Sequence, residues 1–257
     1  MSNSSYSPDW DVYFTFVDNL PAFFSVDLGL ADIAPMQDKP DLIEIVIGLQ
    51  QPDEDGFPGE GEWEVLEEME DTMVSTLEAR LEAQYVAKTL NNGRRALYFY
   101  TGETLLLEQL MEEITAQFSS YAIEYQVSED PEWNIYLEYL YPDEEAMLKI
   151  NNNRMLQALE EQGDQPHIPR NISHWLYFKS EQDRKACAEA LQEEGFTVQS
   201  MAETQDVDGM PFELEVYRED KTDEDTITEV TGLLWQLAAN YNGDYDGWET
   251  IVLQENA

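Results

Sequence analysis

HWLYFKSEQ, residues 174–182, reads as a strand that leads into a helix, and the order of elements around it sets the fold. The helix is SEQDRKACAEALQEEG (180–195), with Ala186, Cys187, Ala190 and Leu191 on one face. Two strand-like runs come next, FTVQSMA (196–202) and FELEVY (212–217), and the last helix carries Ile227, Val230, Leu234, Leu237 and Tyr241. The same order occurs upstream. RALYFYTGE (95–103) leads into a helix with Leu107, Leu110, Ile114 and Phe118 on one face, and YAIEYQV (121–127) and WNIYLEYLY (133–141) read as strands before the helical PDEEAMLKI (142–150). Both halves read strand-helix-strand-strand-helix. With one more strand each, this is the split-βαβ, ferredoxin-like order, an antiparallel sheet with helices on one face. The expected class is α+β, with two such sandwich units whose shared topology exceeds their slight identity.

Ahead of the first unit lie three strand-like runs, DVYFTFV (11–17), PAFFSVDL (21–28) and LIEIVIGL (42–49), separated by Asp-Asn and Pro-containing breaks. After the loop PDEDGFPGEG (52–61), residues 62–90 read as one long helix with Leu66, Met69, Met73, Leu77 and Leu81 at helical spacing, stopped by Asn91, Asn92 and Gly93. The joining segment NNNRMLQALEEQGDQPHIPRN (151–171) has a Leu-Gln-Ala-Leu core that opens the second unit as a helix ended by Gly163. The expected domains are residues 1–142 and 143–257.

The chain has 257 residues, 42% hydrophobic and 12% aromatic, enough for packed domains and far from a disordered composition. Against 55 Asp and Glu stand 13 Lys and Arg, a formal charge of -42. Such a field repels phosphate backbones, which argues against direct nucleic-acid binding, and it is open to three readings: a generic soluble surface, adaptation to salt, or an acidic face that docks on a basic protein partner. The beginning, MSNSSYSPDWDVYF, has no basic segment followed by an apolar one, and no apolar run approaches a membrane span, so a cytoplasmic protein is expected.

Chemistry is sparse. A single cysteine, Cys187, on an apolar helix face reads as a core residue. The two histidines, His167 between prolines and His174 before LYF, stand in no ligand spacing. No phosphate loop, nucleophile elbow or dinucleotide fingerprint occurs. No catalytic residue, cofactor or metal site is expected.

One stretch, NYNGDYDGWET (240–250), invites a calcium-loop reading, with Asn242, Asp244 and Asp246 at positions one, three and five and Gly247 at six. Position twelve is Leu253, which has no oxygen to offer, and WETIVLQENA (248–257) is too short and too β-branched for a second helix. The alternative is a helix exit at Asn242-Gly243 with a tight Asp-Gly turn, which leaves Tyr245 and Trp248 to explain.

Taken whole, the second unit resembles the bacterial RraB family, the regulator of ribonuclease activity B, over roughly residues 150 to 253. The matching features are Gly163-Asp164, the run from Arg170 to Phe178, and Tyr245-Asp246-Gly247-Trp248-Glu249. The first unit is similar to the bacterial domain of unknown function 695 in Trp10 and the early strands, Gly56-Phe57-Pro58, Leu66 to Asp71, Gly93-Arg94-Arg95 with Phe99-Tyr100, and Asp130-Pro131-Glu132-Trp133. The RraB resemblance implies a non-enzymatic regulator that binds an RNA-degrading endoribonuclease of the RNase E type and lowers its activity. An acidic inhibitor suits the basic RNA-binding tracts of such an enzyme. This chain differs from a stand-alone regulator by carrying the whole first unit.

The candidate protein-binding residues are therefore Arg170, His174, Tyr245, Asp246, Trp248 and Glu249. Tyr245 and Trp248 suit an interface anchor and the carboxylates its rim. The competing reading packs Trp248 under its own sheet end. Functional alternatives are an immunity-type nuclease inhibitor, or a small-ligand binder or enzyme with a cleft between the domains that uses His174.

Overall fold

A computed structural model describes residues 6–204 and 209–254. The chain divides into two compact units, residues 1–146 and 147–257, both α+β with an antiparallel sheet.

The first unit contains β1 (Trp10–Val17), β2 (Leu20–Asp27), β3 (Asp41–Gly48), α1 (Glu62–Leu81), β4 (Gln84–Asn91), β5 (Arg94–Thr101), α2 (Leu107–Gln117) and β6 (Ala122–Glu129). Its sheet runs β1-β2-β4-β5-β3-β6. The run β3-α1-β4-β5-α2-β6 is a split-βαβ unit, with the β1–β2 hairpin added beside β4. Two-residue turns fix both hairpins: Asp18 and Asn19 have φ of 52° and 64°, and Asn92 and Gly93 have φ of 49° and 73°. Paired positive φ is the turn whose twist matches that of the flanking strands, which is why Asp, Asn and Gly occupy it.

On one sheet face, Leu66, Met69, Met73, Leu77 and Leu81 of α1 pack with Ile43, Ile45 and Ile47 of β3 and with Leu110 and Ile114 of α2. The opposite face holds a π-helical turn, Ile135–Leu140. Asp130 starts it by accepting the backbone N–H groups of Asn134 and Ile135, each at 2.9 Å. Tyr136 Oη donates to Asp27 O at 2.7 Å, and Tyr13 Oη to Leu140 O at 2.9 Å.

The second unit contains most of α3 (Glu144–Glu161), then β7 (Arg170–Phe178), α4 (Glu181–Glu193), β8 (Thr197–Glu203), β9 (Phe212–Asp220), α5 (Glu224–Asn240) and β10 (Gly243–Glu249). Its sheet order, β10-β7-β9-β8, is again that of a split-βαβ unit. Ser180 accepts from Asp183 N at 3.1 Å and Asp223 from Thr226 N at 3.0 Å, so each helix start has a side-chain cap. Leu176 and Phe178 of β7, Leu214 and Val216 of β9, Cys187 and Leu191 of α4, and Leu234 of α5 form the core.

Several sequence expectations need correction. Residues 62–90 are a helix and a strand: α1 ends at Glu82, which takes φ 49°, and QYVAKTLN pairs with β2 and β5. The Asn91-Asn92-Gly93 run therefore turns a hairpin instead of capping a helix. WNIYLEYLY is helical, since its buried residues Trp133, Tyr136 and Leu140 recur every three or four positions, whereas a strand would bury alternate ones. The repeated unit consequently begins at LIEIVIGL, one helix earlier than read from RALYFYTGE. Finally, GDYDGWE is the edge strand β10, the fourth strand that the sequence pattern lacked, and PDEEAMLKI and the Leu-Gln-Ala-Leu segment form one helix, α3.

Among the described residues no helix is long and apolar enough to cross a membrane.

Candidate protein-binding surface

The site begins with the bulge in β10. Gly243 and Tyr245 lie opposite Phe178 and Leu176 of β7, but the register shifts between Tyr245 and Gly247, so that Gly247 faces Trp175 and Trp248 faces His174. Strand side chains alternate, and residues three apart would normally point to opposite faces. The extra residue Asp246 restores the parity, and Tyr245 and Trp248 both turn towards the helices. Gly247 carries the strain of this bulge at φ 150°.

Trp248 accordingly joins Leu159, Ile172 and Ile227 in a buried cluster, and its Nε1 donates to Asn152 Oδ1 at 2.9 Å. Asn152 Nδ2 in turn donates to Thr231 Oγ1 at 2.7 Å, and that hydroxyl to Ile227 O at 2.8 Å. Tyr245 Oη lies 2.9 Å from Nδ1 of His174, whose ring is 0% exposed. Burial, aided by the charge of Arg218, lowers the pKa of His174 to about 3 and keeps the imidazole neutral. A ring closed off from solvent has no path for proton exchange with a substrate in this state.

Arg170 is buried as well, at 5% exposure, in a clasp that uses each of its nitrogens. Nε donates to Ile168 O at 3.3 Å, Nη1 to the Asp164 carboxylate and to Ile251 O at 3.0 Å, and Nη2 to Gln165 O at 2.6 Å and Thr222 Oγ1 at 3.1 Å. Asp164 also accepts from Thr222 Oγ1 at 3.0 Å and Leu253 N at 2.8 Å. Burial of Asp164 opposes its ionisation, but these bonds, led by that from Arg170, hold its carboxyl below the usual carboxylate range. The clasp ties the loop before β7, the loop before α5 and the segment after β10 into one structure.

Of the six residues expected at an interface, Arg170, His174 and Trp248 are interior, Tyr245 is half-buried with its hydroxyl committed, and Asp246 and Glu249 are exposed. The two carboxylates point to a surface that the other four do not. Helices α4 and α5 pack on the Leu176 and Phe178 side of the sheet. On the other side, cross-strand rows place Tyr177 between Glu213 and Asp244, Trp175 between Glu215 and Gly247, and Ser173 between Tyr217 and Glu249. Trp175, Tyr177 and Tyr217 are half-buried.

At the strand positions of that face, among the described residues, there is no Lys or Arg. Tyr177 Oη lies 3.3 Å from Glu213 Oε2 and Ser200 Oγ 3.2 Å from Glu215 Oε2. Burial and then the negative charges of Glu213 and Asp246 raise the pKa of Tyr177. The face is thus a set of aromatic rings crossed by rows of carboxylates, a surface suited to cationic side chains through charge and cation–π contact. Trp175, Tyr177, Glu213, Glu215 and Tyr217 were not among the residues expected from the sequence. Their signal was present in the alternation of HWLYF and FELEVY, which assigns them to the face opposite Leu176 and Leu214.

Elsewhere, Cys187 is buried, and burial pushes its thiol up to about 12, which leaves it inert as a nucleophile. A groove of about 540 Å³ lies beside Leu156, Leu159 and Pro166 in the second unit, and His174 is not among its lining residues. Asn242, Asp244 and Asp246 run towards and along a strand edge and do not curl round a point. Among the described residues no cluster of three or more His, Cys, Asp or Glu is placed to hold a metal ion.

Two family models match this chain. The "Family of unknown function (DUF695)" matches residues 8–141, and the "Regulator of ribonuclease activity B" matches residues 149–250. No curated protein matches it. A crystal structure of an unknown protein from Galdieria sulphuraria aligns at 9% identity over 83% of this chain and 99% of that one, with a TM-score of 0.24, too low to support an argument.

Proposed function

On the footing that the chain belongs to the family of unknown function DUF695 and matches the regulator of ribonuclease activity B in its second unit, we propose that it is a non-enzymatic regulator of an RNA-degrading endoribonuclease. It acts by covering a basic surface of that enzyme. The observation that carries this reading is the helix-free sheet face of the second unit, where Trp175, Tyr177 and Tyr217 alternate with Glu213, Glu215, Asp244 and Glu249.

An enzyme that binds RNA presents Lys and Arg to phosphates. A carboxylate-covered face offers the same side chains a competing partner, and complementary charge speeds the encounter. The aromatic rings supply the apolar contact that charge alone lacks, since interface energy concentrates in large aromatic and Arg side chains. Asp246 and Glu249 remain at the rim of this surface. Arg170, His174 and Trp248 support it from within by fixing the register and backing of β7 and β10.

The test is inhibition of RNA cleavage by a purified RNase E-type endoribonuclease, with titrations repeated across a salt series. The full-length protein should inhibit, more weakly as salt rises. Glu213→Gln combined with Glu215→Gln should weaken inhibition about tenfold, the effect of about 1.4 kcal/mol, and flatten the salt dependence. Trp175→Ala should weaken it at unchanged melting temperature. Absence of inhibition, or inhibition indifferent to all three substitutions, would sink the reading.

A further inference from the structure

Among the described residues the first unit carries a second exposed surface, and the observations that define it are independent of those made on the second unit. Strand β1 stands at the sheet edge among the described residues. Its alternate residues Trp10, Val12, Phe14 and Phe16 share one face with Phe23 of β2, as the register Phe14↔Phe23 requires. This is the face on which α1 packs further along the sheet, over β3 and β5, yet the helices do not reach the hairpin. Val12, Phe14 and Phe16 are 52%, 47% and 64% exposed.

The rings form two groups along this row. Phe14 meets Phe16 and Phe23 with centroids 5.1 and 5.3 Å apart, Phe23 meets Phe57 at 5.1 Å, and Trp10 meets Tyr85 at 4.9 Å. Between the Trp10 end of β1 and α1 lies a groove of about 700 Å³. Its lining includes Trp10 and Tyr85, the carboxylates of Asp27, Glu70, Asp71 and Glu78, and Lys88 as its cation. Lys88 and Arg95 both pair with Glu70, and Asp27 is buried and accepts from Asp9 N and Gly29 N, so the outward charge of the groove is that of the exposed Asp71 and Glu78, beside Trp10.

Edge strands that are long, apolar and free of Lys or Pro are templates for strand addition. β1 spans eight residues without either, whereas both edges of the other sheet, β8 and β10, are interrupted by bulges. A second copy of this chain is a poor occupant: an antiparallel β1–β1 pairing in full register would set Asp9 of each copy against Asp18 of the other, on molecules of formal charge -42. Charge and aromatic lining favour the opposite character.

We propose that this hairpin is the seat of an extended basic segment of a partner protein, which adds a strand along β1 and lays cationic side chains over the aromatic row and against Asp71 and Glu78. Main-chain pairing would supply affinity and the alternate side chains specificity.

The test uses the full-length protein and a labelled twelve-residue peptide of alternating Lys and Val, with a Glu-Val peptide as control, read by fluorescence anisotropy and by amide hydrogen exchange. The Lys-Val peptide should bind and slow exchange along Trp10–Val17, and the Glu-Val peptide should not. Phe14→Ser with Phe16→Ser, both on exposed side chains, should weaken binding at least tenfold with little change in melting temperature. Asp71→Asn with Glu78→Gln should weaken it severalfold and reduce its salt dependence. Trp175→Ala, on the other unit, should leave the exchange protection along Trp10–Val17 unchanged.

The proposal is overturned if the Lys-Val peptide fails to bind, or if binding survives the paired Phe and the paired acidic substitutions. It is equally overturned if the exchange protection along Trp10–Val17 is lost with Trp175→Ala alone, or if the Phe14 and Phe16 substitutions instead abolish a concentration-dependent dimer or binding to phosphatidylcholine vesicles.

Discussion

The indole Nε1 of Trp248, on the edge strand β10, donates to Oδ1 of Asn152, on α3, at 2.9 Å. This bond joins the last strand of the second unit to its first helix, and Thr231 extends it to α5. Trp248 is thus both an apolar filler and a polar tie.

Trp248→Ala should cost about 3–5 kcal/mol through the cavity and the unpaired Asn152 amide. Asn152→Ala should cost about 1–3 kcal/mol by leaving the indole N–H without its acceptor. Chemical denaturation of both variants checks the order. Equal costs would mean that the hydrogen bond, and not the ring's packing, dominates.

Gly247 holds the bulge at φ 150°, and its Cβ position is open space, so any cost of substitution comes from the backbone. Gly247→Ala should destabilise by about 1–3 kcal/mol. Gly247→Asn should cost about as much, since the tolerance of Asn for positive φ is confined to the left-handed helical region near φ of about 57°, far from 150°. Thermal melts of both variants check this, and a variant as stable as the parent protein would contradict the strain argument.

The Asp164–Arg170 clasp predicts strong coupling. Arg170→Met or Asp164→Leu alone should cost about 3–5 kcal/mol, because each leaves a buried charge unpaired, while the double variant should be less damaging than the sum. A double-mutant cycle measures this. Asp164 has a depressed folded pKa, so its contribution is present above its unfolded value of 3.8 and is lost as pH falls through the folded value below that.

His174 acts over a higher pH window. Its unfolded pKa is 6.5 and its folded value about 3, so the unfolded chain binds the extra proton between these limits. Its contribution is complete above 6.5 and falls on acidification by about 1.4 kcal/mol per pH unit until the folded pKa is reached. His174→Gln, which stays neutral and can still bond Tyr245, should lose stability less steeply between about pH 6 and 4. Parallel stability curves for the two proteins would rule the histidine out as the source.

The acid-aromatic sheet face was legible in principle from the alternation in HWLYF and FELEVY. The Tyr245–Glu249 stretch is more conspicuous in sequence, yet its two large rings turn inward in space. Arg170 and Trp248 look like surface side chains because Arg is charged and YDGWE is polar around its rings. Nothing local reveals that Thr222, Asp164 and the carbonyl groups of Ile168, Gln165 and Ile251 converge to satisfy the guanidinium.

The sequence by itself determined the acidity, the helices with apolar residues every three or four positions, most of the strands, and the strand-helix-strand-strand-helix order of the second unit. Those features are written in periodicity and charge, which depend on neighbours along the chain. Tertiary structure decided where α1 stops and β4 begins, because QYVAKTLN gains its hydrogen bonds only from β2 and β5. It also decided which side of the sheet Trp248 takes, because one bulged residue reverses the parity of everything after it. Both outcomes depend on a distant pairing, β4 with β2 and β10 with β7, and a partner strand far along the chain leaves no mark on the local pattern of the strand it meets.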